Sequence, residues 1–187
     1  MCGISGFISK KKLIRNNAIA NTLDLMKNRG PDYNSSYTQI VDDKNISLLH
    51  SRLKIIDIHS SRSNQPYRYK NFILIFNGEI YNFIELRNKL KKMFKFDTSS
   101  DTEVLLKSYI AYGKKCVDHL EGMWSFAIWD IKKKSLFLSR DPFGEKPLFF
   151  YYSKDGFFFG SEIKYIKSLC EKNFILNKTQ VKKNLFL

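Results

Sequence analysis

Residues 72–76 read Phe-Ile-Leu-Ile-Phe, an apolar run with no polar residue to mark a solvent face. Such a run is expected of a strand buried on both faces. It stops at Asn77-Gly78, a strong turn signal. Everything else in the chain has to be arranged around this strand. Upstream, residues 2–9 predict a short apolar strand. Ile14, Ala18, Ile19, Leu23 and Met26 then recur at helical spacing. Arg29-Gly30-Pro31-Asp32 ends that helix, because Gly can take the left-handed cap and Pro31 cannot continue it. Residues 37–41 and 46–49 predict two strands joined by a turn at 42–45. Residues 52–57 read as half strand and half loop, and a polar loop follows from 60 to 70.

Downstream, Asn82 with Glu85 three positions on has the form of a capping box for a helix over 83–93. Ser100-Asp101-Thr102-Glu103 opens a second helix, which Gly113 ends, and a short helical segment leads to Leu120. Residues 123–129 and 135–138 predict one hairpin, and 148–152 and 157–159 another. Ser161 is placed to cap a last helix to about residue 169, and residues 170–187 show no clear pattern. Strands in antiparallel runs, with two helices together in the middle and others near each end, predict an α+β fold rather than alternating βαβ units. At 187 residues the chain is most simply one domain, and no linker or internal repeat divides it.

The formal net charge of +14 invites a nucleic-acid reading. The lysines are spread along the chain, however, from Lys10–Lys12 to Lys182 and Lys183, outside any recognisable binding motif. They read as solvated surface charge, with a docking surface for an acidic partner left open and no nucleic acid expected. No apolar run approaches the roughly 20 residues that cross a bilayer. Lys10-Lys11-Lys12 follows the first apolar stretch instead of preceding it, so that stretch is not a signal peptide. Three widely spaced cysteines (Cys2, Cys116, Cys170) without a CxxC pair argue against a disulfide framework and against a zinc site. A cytoplasmic protein without a bound metal is the expectation.

The chemistry-bearing candidates lie at strand and helix ends. Removal of Met1 would give Cys2 both a thiol and a free α-amine, whose unperturbed pKa of about 8 suits it to take the thiol proton. The same Met-Cys start also suits plain removal of the methionine before a strand. Asn77 and the Gly78 backbone N–H could form an oxyanion hole, or simply a turn. Arg52 could hold a carboxylate through two parallel hydrogen bonds, or pair with Asp57. His50 reads as a packed sheet residue, since the α-amine already offers a base. Asp101 favours the helix dipole and is also free to meet an ammonium group. A carboxylate clamp, an ammonium partner, an oxyanion hole and a thiol together describe a pocket for an amino-acid amide.

Eight segments then follow in order. They are Met1-Cys2-Gly3-Ile4, Arg29-Gly30-Pro31-Asp32, His50-Ser51-Arg52-Leu53 and Asn77-Gly78-Glu79-Ile80-Tyr81-Asn82, then Ser100-Asp101-Thr102-Glu103, the 122–127 and 140–148 stretches, and Gly160-Ser161-Glu162-Ile163-Lys164. Over residues 1 to about 170 the chain resembles the N-terminal glutaminase domain of glutamine-hydrolysing asparagine synthetases, which are class II amidotransferases. The resemblance implies a four-layer αββα sandwich of two antiparallel sheets, the N-terminal nucleophile hydrolase fold. It implies Cys2 as nucleophile and base, with Asn77 and Gly78 as the oxyanion hole. Arg52 would bind the glutamine α-carboxylate, Asp101 with Glu79 the α-amino end, and backbone near Leu53, Ile55 and Ile56 would line the pocket.

Cys2 would form a γ-glutamyl thioester, release ammonia and then be freed by water, with no cofactor. The ATP- and Mg-dependent synthetase domain that follows in that family has a Ser-Gly-Gly-x-Asp-Ser loop, and nothing like it occurs in residues 1–187. The chain is thus expected to serve a separate synthetase, to be a piece of a longer enzyme, or to be an inactive binding module.

Overall fold

The nine strands of a computed structural model, which describes residues 1–10, 16–58, 60–171, 174, 175 and 179, divide into two antiparallel sheets. The first sheet contains β1 (Gly3–Lys10), β2 (Tyr33–Val41), β3 (Lys44–Arg52), β8 (Phe149–Ser153) and β9 (Gly156–Gly160), in the order β2-β3-β1-β9-β8. The second contains β4 (Tyr67–Tyr69), β5 (Phe72–Ile80), β6 (Gly122–Asp130) and β7 (Ser135–Arg140), in sequence order. Four α-helices, α1 (Asn16–Met26), α2 (Phe83–Leu90), α3 (Asp101–Tyr112) and α4 (Ile163–Cys170), and two 3-10 segments, Ser61–Ser63 and Gly113–His119, complete the description.

Three apolar clusters show how the layers stack. Ile4, Ile46, Leu48, Ile73, Ile75, Ala127 and Trp129 meet between the sheets. On the far side of the first sheet, Phe7, Leu49 and Phe158 face Met26 of α1 and Tyr165, Ile166 and Leu169 of α4. On the far side of the second, Leu74, Phe76, Phe126 and Ile128 face Leu86 of α2 and Val104, Leu105 and Leu106 of α3. The order is helix, sheet, sheet, helix. The unbroken run at 72–76 now has its explanation: Ile73 and Ile75 point to the other sheet while Leu74 and Phe76 point to the helices. Each face is apolar because each is covered. Burying one such side chain stabilises the fold by roughly 1.5–3 kcal/mol.

Several local expectations change. Asn77-Gly78 is not a turn: β5 runs on, pairing Asn77 with Ser125, Gly78 with Trp124 and Ile80 with Gly122. The ladder to β6 outweighs the turn preference of the dipeptide, and the chain leaves the sheet only after Ile80. Asn82 does not close a capping box. Its amide accepts from Glu121 N (3.1 Å) and donates to the His119 carbonyl (3.0 Å), tying the helix start to the approach to β6. Ser161 does not cap α4 either; its hydroxyl accepts from Ile4 N (3.1 Å), and Glu162 precedes the helix. Ser100 does cap α3, accepting from Thr102 N (3.0 Å).

Glu103 turns away from that cap to the Asp97–Thr98 backbone and to Lys107, with which it forms a fully buried ion pair. Lys107 also lies over the rings of Phe96 and Tyr69. The 60–70 loop contains a 3-10 turn (Ser61–Ser63) and the edge strand β4. The turn before β3 is shorter than expected, only Asp42 and Asp43, and α2 ends at Leu90 instead of 93. Ile14 and most of the stretch from 172 on lie outside the described residues. Among the described residues, no helix is long and apolar enough to cross a membrane.

Candidate active site

The site lies at one end of the space between the sheets, and strand periodicity puts three of its side chains there. Ile4 of β1 faces that space, so Cys2, two residues back, faces it too. Leu48 faces it, so His50 and Arg52 follow on the same side of β3; Ile75 faces it, so Asn77 does as well. Gly3 pairs with Ser51, which sets Cys2 beside Arg52. One pocket is lined by Cys2, Arg52, Leu53, Ile55, Ile56, Asn77, Gly78, Glu79 and Asp101, which brings together every residue expected to bind or attack the substrate, while His50 lies outside its lining.

The Cys2 sulfur accepts from Leu53 N at 3.4 Å, and its S–H is directed at the Leu53 carbonyl at 3.6 Å. Burial pushes the thiol above its ordinary value, against the lowering effects of the Leu53 amide, the N-terminal ammonium and Arg52, with Asp101 adding to the rise. The resting group is therefore a neutral thiol that needs a proton acceptor. Arg29 holds the Cys2 carbonyl from its Nε (2.9 Å) and reaches Glu162 with Nη1 (3.3 Å).

The Arg29–Asp32 stretch does more than end a helix. A side chain on Gly30 would stand 2.4 Å from the Ser51 carbonyl, so only glycine lets this loop lie against the end of β3. Asp32 N then donates to the Arg52 carbonyl (3.1 Å), and the Asp32 carboxylate accepts from Lys54 N (2.8 Å). The loop thus clamps the backbone on both sides of Leu53.

Arg52 is 4% exposed, and its guanidinium is held by the carbonyls of Ser60 (3.2 Å), Ile56 (3.1 Å) and Asp57 (3.0 Å) and by Asn64 Oδ1 (2.7 Å). The pairing with the Asp57 carboxylate considered above does not form. That carboxylate accepts instead from Ser63 and from Ser99 (3.0 Å). Four neutral acceptors orient the cation without cancelling its charge. A planar donor fixed in this way at a pocket wall is suited to a carboxylate.

Asn77 is 1% exposed, and its Nδ2 is buried with no hydrogen-bond partner. Buried donors are nearly always satisfied, so an orphaned amide on a pocket wall marks a place where an acceptor belongs. Gly78 follows it; a Cβ there would stand 2.2 Å from the Met123 carbonyl, which keeps the residue bare and β5 close to β6. Asp101, at the first turn of α3, accepts from Ile80 N (3.2 Å). Burial raises its carboxyl to about 6; the Ile80 and Thr102 amides and Ser100 work against the rise, and Glu79 adds to it. A cation bound beside it would restore the carboxylate.

His50 is completely buried and its Nε2 lies 3.1 Å from the Phe76 carbonyl in the facing sheet. Burial, helped by Arg52 and opposed by the Phe76 contact, lowers its pKa to about 3. A neutral ring donating to a carbonyl ties the sheets together.

Sequence reasoning overlooked Met1, Gln65, Phe76, Ser100, Thr102 and Lys146 on the pocket wall. Gln65 spans two elements, accepting from Phe76 N (2.6 Å) and donating to Thr102 Oγ1 (3.3 Å). A polar residue in a polar loop gave no signal of this. Lys146 did have one, because it sits in the 140–148 stretch that carried the resemblance.

Comparison with known proteins places this pocket in context. A family model described as a glutamine amidotransferase domain matches residues 1–187. A Bacillus subtilis protein named asparagine synthetase [glutamine-hydrolyzing] 3 is 41% identical over 89% of the chain and 27% of its own length. A putative asparagine synthetase [glutamine-hydrolyzing] 2 of Methanocaldococcus jannaschii is 36% identical over 92% of the chain and 36% of its own length. The chain therefore spans about a third or less of the curated relatives it matches. Among solved structures, a glutamine phosphoribosylpyrophosphate amidotransferase from B. subtilis aligns with a TM-score of 0.70 at 20% identity, covering 93% of this chain and 44% of that one. That likeness establishes the fold, a sandwich of two antiparallel sheets between helices.

Proposed function

Because the chain belongs to the glutamine amidotransferase domain family, we propose that this pocket hydrolyses L-glutamine through Cys2. The observation that carries the reading is the buried, unpartnered Asn77 amide on the same pocket wall as the Cys2 thiol. Arg52 binds the substrate α-carboxylate, and Asp101 with Glu79 binds the α-ammonium. These contacts hold the side-chain amide of glutamine against the sulfur.

Removal of Met1 frees the Cys2 α-amine. The amine takes the thiol proton as sulfur bonds to the amide carbon, whose oxygen becomes an anion. Asn77 Nδ2 and the Gly78 backbone N–H donate to that oxygen, the kind of stabilisation that contributes about 2.7–4 kcal/mol per donor. The carbon–nitrogen bond then breaks, and the nitrogen leaves as ammonia with the proton the amine had stored. A γ-glutamyl thioester remains. Water attacks it, again giving its proton to the amine, and glutamate departs as the thiol is restored.

The consumer of the ammonia is an ATP-dependent synthetase of the asparagine-forming kind, as a remainder of the same protein or as a separate subunit. The relatives' names and their greater length support this. Glutamate release from glutamine by the Met1-processed protein, measured beside Cys2→Ala, tests the reading. Turnover by the processed protein and none by Cys2→Ala is the expected result. Equal rates in the two would end it, as would glutamine binding without turnover, the behaviour of an inactive binding module. An uncleaved N-terminal tag should abolish activity, and full activity with the tag would assign the base to another residue.

A further inference from the structure

Lys146 is an exception to the rule that buried charges are paired. It is 5% exposed and lines the Cys2 pocket. Its Nζ donates to the Met1 sulfur at 3.0 Å, and among the described residues no carboxylate lies within ion-pair distance of it. A thioether is a weak acceptor. The ammonium therefore rests on the one residue that processing takes away.

The fold goes to some trouble to place this cation. The buried Asp141 carboxylate accepts from Lys146 N (3.0 Å), Glu145 N (2.9 Å) and Trp124 N (3.4 Å), which winds the loop after β7 into a tight turn. Gly144 sits in that turn with φ +69. The carboxylate is used up on backbone amides and leaves the lysine head uncompensated.

Resting on the glutaminase reading, we propose that Lys146 is a positioning residue for the nucleophile: once Met1 is gone, its ammonium turns to the new N-terminus and makes the Cys2 thiol–amine pair give up its proton at lower pH. A neighbouring cation disfavours a second ammonium and favours a thiolate, so it lowers the apparent pKa of both members of the pair. The other charged groups around Cys2 are Arg52 from β3, Glu79 from β5, Asp101 from α3, and Arg29 with its partner Glu162. His50 on β3 is neutral and engaged with Phe76. None of these is altered by a change at Lys146, so a difference between variants isolates the lysine.

The test compares Met1-processed wild type, Lys146→Met and Lys146→Arg. It follows alkylation of Cys2 by iodoacetamide against pH without glutamine, and kcat/KM for glutamine against pH. Lys146→Met keeps the length and apolar stem while removing an unpaired buried charge, so the fold should tolerate it, and thermal melting verifies this. The alkylation midpoint should rise by about one pH unit in Lys146→Met, with roughly tenfold slower reaction at pH 7 that recovers above pH 9. The acid limb of kcat/KM should move with it, and Lys146→Arg should keep the wild-type midpoint. An unchanged midpoint in Lys146→Met overturns the proposal, as does a loss equal at every pH. A shifted midpoint with no turnover in any variant would keep the lysine's role and reject the glutaminase reading instead.

Discussion

His50 of β3 and Phe76 of β5 belong to different sheets, and the contact from His50 Nε2 to the Phe76 carbonyl at 3.1 Å joins them one residue before Asn77. It fixes the spacing between the strand that carries Arg52 and the strand that carries the orphaned amide. The ring is neutral because burial lowers its pKa to about 3. A folded-state value below the unfolded one means that the unfolded chain binds more protons. Stability is therefore full above about pH 6.5 and is lost as pH falls toward 3. Replacing His50 with Leu should cost about 1–3 kcal/mol at pH 7 by stranding the carbonyl. The variant should also lose less stability than wild type between pH 6.5 and 4, as denaturant melts at several pH values would show. The shape of the activity–pH profile should survive if, as proposed, the Cys2 α-amine is the base and the buried His50 ring only joins the sheets.

Asp101 works in the opposite direction. Its carboxyl is raised to about 6, so the folded protein holds the proton more tightly than the unfolded chain does. This group favours folding most below about pH 4, and that contribution is lost as pH rises through 6. Asp101→Asn should therefore melt higher than wild type at pH 7.5, by up to about 3 kcal/mol, with the difference vanishing near pH 4. Glutamine binding should collapse in the same variant. In wild type, KM should increase as pH drops below 6, when the carboxyl that meets the ammonium becomes neutral. A variant that loses both stability and binding at pH 7.5 would contradict this account.

Asn77 should act on the chemical step. Asn77→Ala should lower kcat by about 10²–10³ with KM within a few fold of wild type. The deleted amide donor has no partner in the resting fold, so thermal stability should scarcely change. A large rise in KM with kcat retained would instead make Asn77 a ground-state binding residue. Steady-state kinetics beside a melting curve separates the two.

The Glu103–Lys107 pair should matter for stability and not for catalysis. Burial alone would raise the Glu103 carboxyl, but Lys107, Thr98 and the Asp97 and Thr98 amides outweigh it and hold the group below its usual range. Removing only the cation, as in Lys107→Met, leaves a buried carboxylate without its main partner and should cost about 3–5 kcal/mol. That corresponds to a drop of roughly 10 °C in melting temperature for a chain of this size. Activity per folded molecule should stay near wild type, measured well below the melting transition.

The sequence by itself determined most of the strands and the residue types that carry the chemistry, but it ended the strands at residues 49 and 76. Only because pairing carries β3 on to Arg52 and β5 on to Ile80 does the strand period of 2 put Arg52 and Asn77, with Cys2, on the faces that meet. Local composition also carried the two hairpins, the Ser100 cap and the doubly buried 72–76 run. Only the tertiary structure decided where that alternation was used. Asn77-Gly78 has turn chemistry, but nine residues of pairing with β6 keep it in the sheet. Asn82, Glu103 and Ser161 have capping chemistry but spend their polar atoms on distant or neighbouring backbone. In each case a competing partner, absent from the local sequence, offers a better hydrogen bond. Gln65 and Lys146 reach the pocket from loops, where no period predicts direction. Their places were set by contacts with Phe76, Thr102 and Asp141, which belong to β5, to α3 packed on it and to the loop after β7, and which come together only when the second sheet and its helices assemble.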